Sequence, residues 1–315
     1  MSTGAIFSKI FSESLLSLYP VFVKNIDLSL PLQLLSRVSI YVLVSLVFCQ
    51  MGFIYKNLFS QMGILLGMTT LIHIYSSYRG FQLLESGISY TLFYTYPIII
   101  LLLSGQPFHW SILVSLLGVY LLTMEQLKEV KPEKEAFQND DKAIPKGNGV
   151  LFSDPSKDGS NKNEEHIENY GYEGFWMIFL AAFTEAIIYF QVRNIKTDNN
   201  WNHVFISYFF GAIVMLFYVL FYQQIPIQQI LQQKQFTIAI FINVIIGTLG
   251  YYFRFYAATR MGPILYAFLS YFGIFMSFVY GVIFNKDVIT WKKVLGVLLI
   301  VFSNFYIILQ KYKVA

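Results

Sequence analysis

The fold class this sequence predicts is an all-α polytopic membrane protein, with ten transmembrane helices arranged as two inverted five-helix repeats. Three observations predict it. The 315 residues are 56% hydrophobic and 13% charged, with a mean hydropathy of +0.55, which is too apolar for a soluble chain of this length. Ten apolar runs of about 17–22 residues divide it, each long enough to cross the hydrocarbon core as a helix. Residues also recur between the halves. Glu13 and Lys24 return as Glu185 and Lys196, Ser36 as Ser207, and Arg79, Gly87 and Tyr96 as Arg254, Gly262 and Tyr271. A repeated unit with an odd number of spans must re-enter the bilayer upside down.

The runs of the first unit lie near 4–24, 31–50, 61–80, 88–104 and 108–124, and those of the second near 173–192, 203–222, 236–257, 263–284 and 291–310. They lack the short alternating segments of a membrane barrel. Pro31 and Pro263 fall at helix starts, where no N–H is needed. Pro97 falls inside the fourth run and predicts a bend. The matching place in the second unit is Phe272 followed by Gly273, so Pro97 and Gly273 are the gating or hinge candidates. Gly63 and Gly67, and the stripe Gly273, Ser277 and Gly281, permit close helix approach, either within the chain or in a dimer.

Between the units, residues 125–172 carry eleven acidic and seven basic side chains and few apolar ones. Such a segment cannot bury enough surface to offset its ordering entropy, which predicts a disordered linker. The domain division is therefore 1–124, linker 125–172, and 173–315. The net charge of +4 hides an excess of positive charge outside the linker, which membrane-edge anchoring explains. Lys and Arg counts in the short loops, seven on the N-terminal side against six opposite, leave the orientation open. Lys9 and Glu13 interrupt the first run, which reads as a span rather than a removable signal. The single cysteine, Cys49, excludes an internal disulfide.

The stretches Tyr78 to Leu103 and Phe253 to Gly281, each followed by a Leu-Gly-Val start to a closing run (Leu117-Gly118-Val119 and Leu295-Gly296-Val297), resemble the two repeats of the drug/metabolite transporter superfamily, EamA type. The resemblance covers the chain outside the linker. It implies ten helices in a 5+5 inverted repeat, cytosolic termini and a central cavity opened alternately to each side. The turn Gly105 to His109 departs from it by lacking the usual charged residue, whereas the second copy has Lys286 and Asp287.

An ionisable side chain inside a span costs about 2.5–3.5 kcal/mol on insertion scales and is by default a functional hypothesis. Counted from Gly174, Glu185 lies roughly 16 Å deep, and Glu13 is its repeat mate. The pair could bind a proton or a cationic substrate, and Glu13 could equally be neutralised by Lys9 one turn away. Arg79 and Arg254, each near the predicted end of its run, either hold an anionic substrate or snorkel to the interface. Arg37 is expected to snorkel or to meet a carboxylate. His73 is a proton relay or a hydrogen-bonded packing residue. Tyr90, Tyr94 and Tyr96, with Tyr266, Ser270 and Tyr271, recur at helical spacing and line either a cavity or a packed face. The substrate-binding or coupling candidates are thus Glu13, Glu185, His73, Tyr94, Arg254, Tyr266 and Ser270.

The sequence has no P-loop, HExxH or metal-spaced Cys/His set, so no enzyme activity, cofactor or metal is expected. The expected function is secondary active transport of a small polar organic metabolite by alternating access, as exchanger or proton-coupled carrier. The alternatives are a nucleotide-sugar or sugar-phosphate antiporter of the early secretory pathway, and a non-transporting scaffold or receptor. The expected partners are the lipid bilayer and a small-molecule substrate, with no nucleic acid, for a monomer or weak homodimer. Lys311 and Lys313 read either as membrane anchors or as a retrieval signal, leaving endoplasmic reticulum, Golgi and plasma membrane open.

Overall fold

The computed structural model describes residues 3–84, 86–105, 110–118, 120–121, 162–285, 290–292, 294–299, 302–303 and 306. Every regular element among them is a helix. Among the described residues, six helical stretches are long and apolar enough to cross a membrane: Thr3–Val23, Leu30–Phe48, Tyr172–Asn194, Asn200–Tyr222, Lys234–Arg260 and Pro263–Phe284. A seventh exists if Met51–Asn57 and Gln61–Leu83, which meet at 90°, count as one span. Large apolar side chains such as Phe7, Val47, Phe221 and Trp176 stay exposed on these stretches, as expected where lipid replaces water.

Local chemistry sets the helix breaks. The first span is α1 (Thr3–Leu16) and α2 (Tyr19–Asn25), separated by a turn. Pro20 has no N–H for the Leu16 carbonyl, and Tyr90 Oη donates to that carbonyl at 2.6 Å instead. α3 (Leu30–Phe48) begins with Pro31 in its first turn, where no donor is lost. A short helix, α4 (Met51–Asn57), precedes α5 (Gln61–Leu83), whose N-terminus is capped by Ser60 Oγ accepting from Gly63 N at 3.1 Å.

The fourth run divides into α6 (Ser86–Phe93) and α7 (Tyr96–Leu103) with a turn at Tyr94 and Thr95. Pro97 thus starts a new helix, and the expected bend is a full break. Residues 111–118 are helical. α8 (Lys162–Asn194) begins well before residue 173. Residues 162–172 of the expected linker are therefore helical rather than disordered. The rest of the linker, together with Lys286, Asp287, Lys311 and Lys313, lies outside the described residues.

α9 (Asn200–Phe217) is capped by Asn199 Oδ1, which accepts from Trp201 N at 3.0 Å, and runs into a π turn at Tyr218–Tyr222. After α10 (Ile227–Gln232) comes a span in three parts, α11 (Lys234–Ile242), a π turn at Asn243–Thr248, and α12 (Leu249–Arg260). The wide turn is held by Thr248 Oγ1, which donates to the Asn243 carbonyl at 2.9 Å. Widened turns of this kind commonly mark functional places in helices. The next span is α13 (Pro263–Ser270) and α14 (Phe272–Tyr280), broken at Tyr271.

Helices from the two halves of the chain interleave. α5 packs along α8, α3 along α9, and α1 along α12. Gly67 faces Phe210 so closely that a Cβ there would lie 2.6 Å from the ring, and Gly80 meets Ile178 at 2.5 Å. Both small residues thus serve packing within the chain. The core is rich in tyrosine hydroxyls and holds several buried charges.

Candidate functional site

A buried ionic cluster joins α1, α7, α8 and α12. Arg254, 2% exposed, stands between two carboxylates. Its Nη1 donates to Glu185 Oε1 at 2.6 Å, and its Nη2 donates to Glu13 Oε1 and Oε2 at 3.0 and 3.2 Å. Lys9 Nζ donates to Glu13 Oε1 at 2.5 Å, and Tyr94 and Tyr96 donate to the same carboxylate at 2.7 and 3.2 Å. The Lys9 ammonium also sits over the Tyr266 ring, 3.6 Å from its centroid. Each charge therefore has an opposite charge and hydrogen bonds, which its burial requires.

Helical geometry explains part of the assembly. Lys9 and Glu13 are one turn apart on α1, and the expected ion pair between them forms. The break between α6 and α7 aims Tyr94 and Tyr96 at one carboxylate. Gly273 makes room for this, since a Cβ there would lie 1.8 Å from Tyr94 Oη. Ser12, one residue before Glu13, ties α1 to α12 by donating to the Gly250 carbonyl at 2.8 Å.

Glu185 has a second neighbour. His73 Nε2 lies 3.2 Å from Glu185 Oε2 and 3.2 Å from Tyr251 Oη, while Nδ1 lies 3.0 Å from the Ala181 carbonyl. A carbonyl can only accept, so Nδ1 carries the hydrogen, and Nε2 of a neutral ring presents its lone pair. A lone pair facing a carboxylate oxygen makes no bond unless one proton joins them. Nε2 instead accepts from Tyr251 Oη, and Glu185 Oε2 lies beside it with no hydrogen-bond partner among the described residues.

Two expectations for arginines need correction. Arg254 does not snorkel, because α12 continues more than a turn beyond it to Arg260 and its side chain points inward. Arg37 neither snorkels nor meets a carboxylate. It is 3% exposed, lies over the rings of Tyr19, Tyr251, Tyr78 and Tyr41 at 4.8 to 5.5 Å, and among the described residues has no ion-pair partner. Arg79 is a partly exposed residue bonded to Glu173 Oε1 at 2.8 Å, in keeping with an anchor. Ser270 is not part of the cluster, because its hydroxyl donates to the Tyr266 carbonyl on its own helix at 2.8 Å. Tyr90 serves the Leu16 carbonyl.

Beside the cluster lies a cavity of about 30 Å³ lined by Arg37, His73, Tyr251 and Arg254 among others, room for about two waters. A gap of about 10 Å³ follows, bounded by Tyr19, Gln33, Ser36, Tyr78 and Asn243. Beyond it is an open pocket of about 310 Å³ at the α2–α3 turn, lined by Asn25, Asp27, Gln33 and Gln82 among others. Successive cavities share lining residues, Tyr19 for the inner two and Gln33 for the outer two. The opposite end is closed. Asn202 Oδ1 accepts from Gln50 N at 2.8 Å, Asn199 Nδ2 donates to the Phe48 carbonyl at 2.7 Å, Trp201 stacks on Phe48 at 5.1 Å, and Arg193 Nη1 donates to the Met261 carbonyl.

Sequence reasoning missed Tyr251 and Asn243 and used Lys9 only as a neutralising partner. Asn243, a buried amide whose Nδ2 donates to Ser36 Oγ at 3.2 Å and whose Oδ1 accepts from Tyr19, carried the same signal as Glu185, a polar side chain deep in an apolar run.

A crystal structure of another protein superposes over 100% of this chain and 99% of its own length, with a TM-score of 0.65 at 14% sequence identity, a likeness of fold. No curated protein sequence matches the chain. Residues 173–309 match the model of the EamA-like transporter family, and Glu185, Tyr251, Arg254 and Tyr266 all fall inside that segment. Thus the second half of this integral, multi-pass membrane protein is similar over residues 173–309 to the EamA-like transporter family, part of the drug/metabolite transporter superfamily.

Proposed function

We propose that the chain is a secondary active transporter of a small polar organic metabolite, an exchanger or proton-coupled carrier working by alternating access. Its ten spans form two inverted five-helix repeats, 1–124 and 173–315, with 125–172 as their linker. The observation that carries this reading is the Glu13–Arg254–Glu185 bridge, with His73 beside it, at the inner end of a string of small cavities whose outermost is open. Buried charges tie helices of both halves at one point. Protonation at His73 and Glu185 weakens the hold of Glu185 on Arg254 and so loosens one half against the other. The family match to 173–309 supports transport in general terms.

A second reading, a scaffold that keeps the fold, has one observation in its favour, the narrow inner cavity of about 30 Å³. That volume admits no metabolite unless helices move, which alternating access requires and a scaffold does not. Uptake of labelled metabolites into liposomes holding the purified protein, with and without a pH gradient, tests the choice. Protein-dependent, saturable uptake supports transport. The absence of any across neutral, cationic and anionic metabolites, in protein shown to be folded, favours the scaffold.

A further inference from the structure

We propose that Arg37 binds the substrate, and that the substrate carries a carboxylate or phosphate group. This inference rests on the transport reading and names the cargo class of the same site. The buried charges beside the deep cavity do not balance. Lys9, Arg37 and Arg254 are cationic, Glu13 and Glu185 anionic, and His73 with its neighbours as described adds none. Arg254 is charge-paired with the two carboxylates, although its Nε, like that of Arg37, has no hydrogen-bond partner, and Lys9 is paired with one of them. The surplus positive charge is therefore that of Arg37.

Its surroundings are those of a site rather than a structural pair. The tyrosine rings offer the guanidinium their faces, and the hydroxyls of Tyr78, Tyr208 and Tyr251 are hydrogen-bonding neighbours, but these neutral groups do not balance its charge. Arg37 Nε has no hydrogen-bond partner, and an unsatisfied donor on a buried cation is a costly feature. The guanidinium is a planar fork of donors matched to carboxylate and phosphate oxygens. Arg37 lines the deep cavity, so an anion arriving through Gln33, Ser36 and Asn243 meets it before it meets the Arg254 bridge. The tyrosine ring faces suit the uncharged remainder of an organic anion. A cationic substrate would instead meet the unpaired charge.

The test is thermal unfolding of the purified full-length protein titrated with sodium phosphate or sodium acetate, against sodium chloride and tetramethylammonium chloride at equal ionic strength. A saturable rise in Tm with phosphate, acetate or both, and none with tetramethylammonium, is the expected result, and the anion that acts identifies the group recognised. Without added anion, Arg37→Gln should unfold at a higher temperature than wild type, because an uncompensated buried charge is gone, and should lose the anion shift. Arg37→Lys should keep a weaker shift. No anion effect on the wild type, or an anion shift that survives in Arg37→Gln, overturns the proposal. Native mass spectrometry of the same samples separates lipid from soluble cargo. A phospholipid bound to wild type and lost from Arg37→Gln would make the anion a headgroup and likewise overturn it. Metabolite uptake is the independent arm: saturable uptake of neutral or cationic solutes only sinks the anion inference and spares transport, whereas anion binding without uptake of any solute does the reverse.

Discussion

Arg254 is the residue on which the buried cluster depends, because among the described residues it alone bonds to both carboxylates. Arg254→Met would leave Glu13 to Lys9 and Glu185 to His73. Removing one partner of a buried ion pair costs about 3–5 kcal/mol, far more than a surface pair is worth. A sharply lowered Tm in detergent is expected, with part of the loss regained in Arg254→Met combined with Glu185→Gln, since the second change removes a carboxylate left unpaired. Glu185→Gln alone keeps the shape and an acceptor for Arg254 but cannot exchange a proton with His73. Uptake should then lose its response to an imposed pH gradient while the protein stays folded, and an unchanged response would exclude Glu185 as the coupling group. Glu185 was legible in the sequence because a carboxylate deep in an apolar run is too costly to keep there without a partner or a task. Arg254 was less so, since the run placed it near a helix end and the further extension of α12 to Arg260 is fixed by packing and not by composition.

The broken spans place these side chains. Tyr94 reaches Glu13 because α6 stops before it and α7 restarts at Tyr96, and because Gly273 leaves space for its hydroxyl. Gly273→Ala is therefore expected to destabilise the protein. Alanine gains about 1 kcal/mol over glycine in a helix, but overpacking against Tyr94 costs about 1–3 kcal/mol and the Tyr94–Glu13 bond is lost with it. Tyr94→Ala in the same background should relieve the overlap. A Gly273→Ala protein with a raised Tm and unaltered uptake would show that this contact is not made. Pro97 announced its break in the sequence. Gly273 marked the matching place in the second unit, where the break falls at Tyr271, whereas the π turn at Asn243–Thr248 had no comparable local signature, because it follows from the side-chain bonds of Asn243 and Thr248.

For the whole molecule, the apolar runs made a helical membrane protein legible, and a match over 173–309 bears out the resemblance for that half. What the sequence could not give was the asymmetry between the two ends. It arises from contacts between distant segments, such as Asn202 with Gln50 on the closed side and the Gln33, Gln82 and Asp27 pocket on the open one. In the proposed alternating access, these ends exchange roles when cargo binds, with the ionic bridge as the proposed pivot. The direct measurement is the rate of thiol labelling in two single-cysteine proteins, Gln82→Cys at the open pocket and Asn202→Cys at the closed end, each made with Cys49→Ser. Without substrate, Gln82→Cys should react and Asn202→Cys should be protected. Saturating transported metabolite should slow the first and speed the second, whereas rates at both positions that ignore every metabolite taken up by the protein would contradict the account.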